Sequence, residues 1–233
     1  MYNFCEFAER PLPALTVDPL PHLLASPGEG EPLVCLDEIW YRIQAAPAYA
    51  DLPGAVQGCW LRRGAAERLA AVSALLPDGY SLLVYDAWRP VAVQQALYDQ
   101  YRKQLRKEHP RMSGRQLDTL CREFVALPRA DPINPAPHAT GGAVDLTLCY
   151  QNTPLEMGSR FDDFSPLART DALEAGPDCA ARRHRRMLFW AMCSAGFVNY
   201  PGEWWHFSYG DRLWATVQQR QPLYSHCAGA GIR

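Results

Sequence analysis

The sequence of 233 residues lacks the features that mark several classes of protein. Its most apolar stretches, such as residues 81–87 and 187–193, fall well short of the roughly 18–20 residues that a membrane-spanning helix needs. Basic residues are not in excess, because 23 Lys and Arg oppose 25 Asp and Glu, which argues against nucleic-acid binding through phosphate contacts. The eight cysteines include no C-x-x-C pair and are too sparse for a disulfide-stapled scaffold. We therefore expect a globular protein with neither a membrane nor a nucleic-acid partner.

The amino-terminal residues also lack the pattern of a secretion signal, because acidic residues precede any apolar run. This absence predicts a cytoplasmic protein. Six of the 20 prolines lie in residues 1–32, so we expect an extended arm there rather than a helix or a central strand. Residues 33–221 are predicted to form one domain, followed by a tail over residues 222–233. The pattern predicts no particular oligomeric state.

Helical and strand patterns follow one another in this domain without a regular βαβ rhythm. The sequence also has no glycine-rich phosphate loop, which argues against a doubly wound fold. We expect a single α+β domain with a central antiparallel sheet and flanking helices. Apolar periodicity, capping residues and β-rich runs predict helices over residues 64–76, 90–107, 113–127 and 180–195, and strands over residues 80–85, 143–148 and 204–209.

Three short segments carry residues suited to chemistry. They are His138-Ala-Thr-Gly-Gly-Ala-Val-Asp145, Glu203-Trp-Trp-His206 and Asp86-Ala-Trp-Arg89-Pro90. Two imidazoles and one carboxylate, with a fourth position left for water, form the ligand set of a catalytic zinc site. The first two segments therefore predict one Zn²⁺ per chain, held by His138, Asp145 and His206, with Glu203 left over.

The spacing of these residues requires a bend in the chain. His138 and Asp145 are seven positions apart and would lie on opposite faces of one straight strand. Glycine tolerates positive φ, so Thr140-Gly141-Gly142 can provide the bend between them. Gly202 marks the turn at which the last strand begins. Glu203 can therefore reach the site from this turn.

Each candidate also has an explanation without catalysis. A histidine in an apolar strand is more often a hydrogen-bonded core residue than a ligand, and Arg89 could simply pair with Asp86. Trp205 fits either the core or a pocket wall. Asp145 is more informative, because a carboxylate between Val144 and Leu146 needs a partner or a metal to compensate its burial.

Taken together, the segments resemble the zinc D-Ala-D-Ala dipeptidases. The family pattern H-x-x-G-x-A-x-D-L-T-L is matched from His138 to Leu148, E-W-W-H at residues 203–206, and M-G-x-x-F-D at residues 157–162. The arginine before a proline at the end of a strand is matched by Arg89. The resemblance extends from about Tyr80 to Tyr209 and is loose around Tyr41.

The resemblance implies a hedgehog-like or D-Ala-D-Ala-peptidase-like zinc peptidase fold, with Zn²⁺ bound by the three residues named above. It implies that Glu203 is the general base, that Arg89 steadies the developing oxyanion, and that Asp162 holds the free ammonium of the substrate. Tyr41 and Trp205 are further candidate substrate-binding residues.

The sequence departs from the family pattern at positions that bear on substrate choice. Ala136 stands where the family has a serine that helps to bind the substrate carboxylate. The segment after Asp163 also differs from the family. These departures leave the predicted metal ligands intact and bring the preference for D-Ala-D-Ala itself into question.

The favoured function is a zinc dipeptidase that hydrolyses D-Ala-D-Ala, or a closely related small dipeptide, with metal-activated water. One alternative is a zinc peptidase or amidase that acts on a longer peptide or a peptide natural product, which an open cleft would favour. Another is a non-catalytic zinc-binding interaction module. The presence of Glu203 and Arg89 argues against that module, because a structural site needs neither a base nor an oxyanion partner.

Overall fold

A mixed six-stranded sheet lies at the centre of the computed structural model, which describes residues 4–16, 30–36, 42–131, 134–229 and 232. Its strand order is β2-β4-β5-β8-β7, and β6 pairs with β5 beside this path. The strands are β2 (Ile43–Ala45), β4 (Tyr80–Asp86), β5 (Ala143–Tyr150), β6 (Thr153–Pro154), β7 (Val198–Asn199) and β8 (His206–Ser208). A separate antiparallel pair is formed by β1 (Leu33–Cys35) and β3 (Trp60–Arg62).

Five α-helices accompany the strands in the described residues. They are α1 (Arg63–Leu75), α2 (Val91–Glu108), α3 (Gly114–Phe124), α4 (Ala180–Ser194) and α5 (Arg212–Gln218). The first four confirm the helices expected from periodicity. Helix α5, which has only seven residues, was not predicted.

Local chemistry explains where the helices begin and end. Ser113 accepts a hydrogen bond from the backbone N–H of Gln116, whose side chain reaches back to Ser113, so the predicted capping box starts α3. Helix α1 ends before a turn in which Gly79 has φ +85°. Helix α4 is likewise followed by Gly196 at φ +90°, a conformation that glycine adopts without steric cost.

The sheet confirms the α+β class and is antiparallel along most of its length. Strand β5 pairs antiparallel with β4, β6 and β8, and β7 pairs antiparallel with β8. The exception is β2, which runs parallel to β4. The chain between these two strands passes through β3 and α1, and such a long crossover is the connection that parallel pairing needs.

The main core lies between the sheet and the helices α1 and α4, which pack against each other. A smaller apolar cluster lies between α2 and α3, where Tyr101, Leu105 and Leu117 are buried. Helix α2 therefore packs on its own partner helix, and Tyr101 of this cluster also lines the site described below.

Segments from both ends of the described chain pack against this body. Residues Phe4–Ala8 form a short 3-10 helix against α4, with Phe4 and Phe7 buried, where only an extended arm was expected. Tyr224 is buried, and the backbone N–H of Cys227 donates to the carbonyl of Ala139. The division into residues 1–32, 33–221 and 222–233 stays a prediction.

Among the described residues, no helix combines the length and the apolar character needed to cross a bilayer.

Candidate metal centre and active site

The register of three adjacent strands brings polar residues together at one end of the sheet. Asp145 on β5 lies opposite His206 on β8 and opposite Asp86 on β4. All three residues are buried. Charged groups at the same level of a buried sheet need each other or a ligand, because an uncompensated buried charge is costly.

A tight turn brings His138 to the same place. Residues His138–Thr140 form a 3-10 helix, and Gly141 follows at φ +74° before β5 begins. The bend predicted between His138 and Asp145 is therefore confirmed. A side chain at Gly141 would also clash, since an added Cβ would lie 2.6 Å from a methyl carbon of Leu33.

The side chains of His138, Asp145 and His206 converge on one point. His206 Nδ1 lies 2.9 Å from Asp145 Oδ1, and His138 Nε2 lies 3.2 Å both from Asp145 Oδ2 and from His206 Nδ1. A zinc ion with bonds of about 2.0–2.1 Å in tetrahedral geometry spaces its ligand atoms by about 3.3 Å. The three donor atoms thus have the chemistry and nearly the spacing of a zinc site.

Hydrogen bonds orient both imidazoles so that one nitrogen of each faces this point. His138 Nδ1 lies 2.7 Å from the carbonyl oxygen of Ala87 and so acts as a donor, which leaves Nε2 as the acceptor nitrogen. His206 Nε2 lies 3.4 Å from Ser208 Oγ, and that hydroxyl donates to Asp211 Oδ2 at 2.7 Å. When neutral, each ring can therefore direct an unprotonated nitrogen at the shared centre.

The charges of the cluster are mutually stabilising. Burial acts to raise the pKa of Asp145, but the imidazoles of His138 and His206 outweigh it and hold that pKa well below its usual range. Burial acts to lower the pKa of His138, but the carboxylates of Asp145 and Asp86 together outweigh it, so that the pKa of His138 is raised. An ionised Asp145 is the form that can ligate a cation.

Glu203 lies beside this cluster in a turn before β8. Its Oε2 is 3.9 Å from His206 Nδ1, and a quarter of its side chain is exposed. Burial in the cleft raises the pKa of Glu203 to about 7, and the nearby carboxylates of Asp145 and Asp162 add to the increase. The strand predicted over residues 204–209 is shorter than expected, since β8 covers only His206–Ser208. This shorter strand leaves residues 203–205 in the turn from which Glu203 was expected to reach the site.

Arg89 lies three residues after the end of β4 and is almost fully buried. Its Nε donates to Asp86 Oδ2 at 2.7 Å and its Nη1 donates to Gln94 Oε1 at 2.7 Å, while Nη2 lies 2.6 Å from Asp86 Oδ2. The pairing with Asp86 considered above is thus present. A guanidinium has five N–H donors, so two remain that could reach an oxygen placed near Asp145, 3.8 Å from Nη2.

Asp162 lies across the cleft in an unusual backbone conformation, with φ +57°. The hydroxyl of Tyr49 donates to Asp162 Oδ2 at 2.7 Å, and the ring of Tyr49 stacks 4.8 Å from the guanidinium carbon of Arg89. Burial raises the pKa of Asp162 to about 6, against the opposing effect of the hydrogen bond from Tyr49. Tyr49 thus links Asp162 to Arg89.

One cleft of about 570 Å³ contains almost all of the residues singled out from the sequence. Ala136 and Trp205 line it, and Trp205 packs edge-to-face on Phe161 with ring centroids 5.4 Å apart. Tyr41 lies outside the described residues. The predicted site residues in the wall of the cleft are Arg89, Ala136, His138, Asp145, Asp162, Glu203, Trp205 and His206.

Two residues with direct roles in this geometry were missed by the sequence reasoning. Tyr49 belongs to no motif, and Gln94 is one of several polar residues on α2. Gln94 is nevertheless buried between Arg89 and the carbonyl of Ala126, to which its side-chain amide donates at 2.7 Å. The position of Gln94, five residues after Arg89 and at the start of α2, was the sequence signal that could have indicated a contact with Arg89.

Comparisons with known proteins give a consistent family signal. A family profile of M15 peptidases, described as D-Ala-D-Ala dipeptidase, matches residues 54–226. A D-alanyl-D-alanine dipeptidase of Synechocystis is 33% identical over 91% of this chain and 97% of that protein. A D-alanyl-D-alanine dipeptidase of Escherichia coli is 30% identical over 64% of this chain and 66% of that protein. A solved vancomycin-resistance D,D-pentapeptidase with Zn(II) is 18% identical over 75% of this chain and 89% of that chain, with a TM-score of 0.45.

Proposed function

Because the chain belongs to the D-Ala-D-Ala dipeptidase family of metallopeptidases, we propose that it is a zinc-dependent dipeptidase acting on D-Ala-D-Ala or a closely related small dipeptide. The observation that carries the proposal is the convergence of His138, Asp145 and His206, with the Glu203 carboxylate 3.9 Å from one of these imidazoles. A site that only stabilised the fold would need no further carboxylate beside its ligands.

The three ligands suit zinc in number and in kind. Two imidazole nitrogens and one carboxylate oxygen form a set that leaves one position for a reactant, as catalytic zinc sites do. When bound, zinc supplies a Lewis acid that polarises the scissile carbonyl and makes water reactive at neutral pH. The ligand role of His138, Asp145 and His206 is supported by their donor spacing of 2.9–3.2 Å.

Glu203 is proposed to be the general base. Its carboxylate borders the cleft next to His206, where it can accept a proton from the attacking water and then deliver it to the leaving amine. Its pKa of about 7 matches a group that must both accept and donate a proton near neutrality.

Arg89 is proposed to stabilise the negative charge that develops on the carbonyl oxygen. Its guanidinium is positioned in advance by Asp86 and Gln94, so no reorganisation is needed when that charge appears. Its position near Asp145 places the remaining N–H donors at the edge of the metal centre.

Asp162 is proposed to bind the free ammonium group of the substrate. Its carboxylate is oriented by Tyr49 and lies in the same cleft as the metal ligands. This position suits an exopeptidase that recognises the free amino terminus of its substrate. Substrate carboxylate binding must use a donor other than a side chain at position 136, since Ala136 offers none.

The proposal extends to two features that follow from the sequence alone. We propose a cytoplasmic location and a peptidase domain over residues 33–221, flanked by an arm over residues 1–32 and a tail over residues 222–233.

The decisive test compares three substrates on zinc-loaded protein by mass-spectrometric product analysis: D-Ala-D-Ala, L-Ala-L-Ala and N-acetyl-D-Ala-D-Ala. We expect cleavage of free D-Ala-D-Ala and loss of cleavage on acetylation, because the amide cannot pair with Asp162. The variant Glu203→Gln should bind zinc in a one-to-one ratio and show no turnover. Full activity of this variant would refute the base role, and zinc binding without cleavage of any substrate would refute the dipeptidase function.

A further inference from the structure

The cleft has a much larger volume than its metal centre requires. Its volume of about 570 Å³ lies in the range of about 300–1,000 Å³ that is typical of pockets for drug-sized ligands. A dipeptide with two methyl side chains would leave much of this space unfilled. The remainder of the cleft therefore has the dimensions to take a further part of a larger substrate.

This additional space extends along helix α2. The cleft is lined by Gln94, Leu97, Tyr101 and Gln104, which follow one another on the same side of the helix. From Gln94 to Gln104 the helix rises about 15 Å. Gln94 bonds to Arg89, so the stripe begins at the metal centre and continues away from it.

Three aromatic rings lie together at the far end of the stripe, and we call them the aromatic lobe: Tyr101 on α2, Phe124 at the end of α3, and Phe164. Phe164 lies 4.5 Å from Tyr101 and 5.6 Å from Phe124, measured between ring centroids. Phe124 is 36% exposed and Phe164 is 37% exposed, although both are large apolar side chains. All three line the same cleft as the metal ligands, so the lobe is continuous with the proposed active site.

We propose that the aromatic lobe binds a bulky apolar side chain on the carboxyl-terminal residue of the dipeptide substrate. This inference rests on the proposed function. The ammonium group at Asp162 and the scissile carbonyl at Arg89 both belong to the amino-terminal residue, so the residue that extends past Arg89 is the one beyond the scissile bond. Helix α2 begins just after Arg89, the residue proposed for the scissile carbonyl, and therefore leads away from that bond towards the lobe.

The chemistry of the lobe favours an aromatic group over a polar one. Edge-to-face and tilted ring arrangements already link its members, and a further ring can add to such a cluster. A further ring packed against the exposed surfaces of Phe124 and Phe164 would cover apolar surface that the cleft otherwise exposes to water. Burial of a benzyl group in place of a methyl group should raise kcat/KM by about tenfold.

The test measures kcat/KM of the zinc-loaded full chain for D-Ala-D-Ala, D-Ala-D-Phe, D-Phe-D-Ala and D-Ala-D-Ala-D-Ala. We expect D-Ala-D-Phe to be cleaved about tenfold more efficiently than D-Ala-D-Ala. The variants Phe124→Ala and Phe164→Leu should each reduce this ratio several-fold. Val217 is 46% exposed on α5, and Val217→Ala is the matched control that should keep the wild-type ratio.

Several outcomes would overturn the assignment. Equal efficiency for D-Ala-D-Ala and D-Ala-D-Phe, or an unchanged ratio in both lobe variants, would show that the lobe does not bind this side chain. A preference for D-Phe-D-Ala would place the bulky group on the other residue, and a preference for the tripeptide would show that the lobe takes additional main chain. The results with the dipeptides leave the dipeptidase proposal standing, whereas a preference for the tripeptide, or cleavage of none of the substrates, would contradict that proposal itself.

Discussion

Replacing Arg185 with lysine should destabilise the segment that carries Asp162. Arg185 lies on α4 and is 2% exposed. Its guanidinium donates to the backbone carbonyls of Met157 at 2.6 Å, Leu167 at 2.8 Å and Arg169 at 2.6 Å, each through a different nitrogen. These carbonyls flank Asp162 on both sides, so one buried cation ties down the whole segment from 157 to 169.

The expected magnitude follows from the number of carbonyls that lose a donor. Arginine offers three nitrogens in a rigid fork, whereas lysine offers one compact ammonium. If lysine satisfies one of the three carbonyls, two are left without their partner, at about 1–3 kcal/mol each. The free energy of unfolding of Arg185→Lys should therefore fall by about 2–6 kcal/mol. Burial lowers the pKa of Arg185 to about 10, so the residue is still charged at neutral pH and the comparison is between two cations.

Urea unfolding of the two proteins measures this loss directly. Arg183 is the matched control, because it lies on the same helix and pairs with Asp178 at the surface. Its replacement by lysine should change the free energy of unfolding by less than about 1 kcal/mol, as is usual for exposed ion pairs. Equal urea midpoints for Arg185→Lys and Arg183→Lys would refute the reasoning that the guanidinium holds the segment.

Three further predictions concern the proposed site. Asp145→Ala should reduce the zinc content after dialysis from one ion per chain to almost none, because two imidazoles alone form an incomplete ligand set. Retention of zinc at the wild-type ratio, measured by plasma emission spectrometry, would contradict the ligand assignment. Arg89→Lys should lower kcat about 100-fold while zinc stays bound, since an ammonium cannot maintain the contacts to Asp86 and Gln94 and still reach the oxyanion. A wild-type kcat in steady-state kinetics would show that Arg89 does not stabilise the oxyanion. The KM for a free dipeptide should rise as the pH falls through about 6, because protonation of Asp162 removes the charge that pairs with the ammonium group. The variant Asp162→Asn should have a high KM that no longer changes over this pH range, and a wild-type KM profile in this variant would contradict the assignment.

Local sequence patterns predicted most of the regular structure correctly. Helix α1 follows from apolar spacing and a Pro-Asp-Gly stop, and α3 from its capping box, because these signals act within a few residues. The strands β4 and β5 follow from their β-rich composition. The short strands β1, β2, β3, β6 and β7 and the parallel pairing of β2 were missed. Strands of two or three residues carry too little pattern, and pairing depends on a partner that is distant in sequence.

The candidate site was found from the sequence for a different reason. Its ligand types are recognisable as residues, and the glycines at 141 and 142 indicated that His138 could turn back towards β5. Tyr49 and Gln94 were not recognisable in this way, because tyrosine and glutamine have many uses and nothing in their neighbourhood points to Asp162 or Arg89. Their contacts exist only once the loop before β3 and the first turns of α2 are brought to the same cleft.

The sequence by itself determined the α+β class, the main helices and strands, and the set of residues that could hold and use a metal ion. The tertiary structure decided how those residues meet. Strand register aligned Asp86, Asp145 and His206, and the packing of α2 against α3 left an aromatic lobe open beside them. The physical reason is that capping and periodicity are local properties of the chain, whereas register, cleft volume and hydrogen-bond partners depend on segments that come together only when the chain has folded.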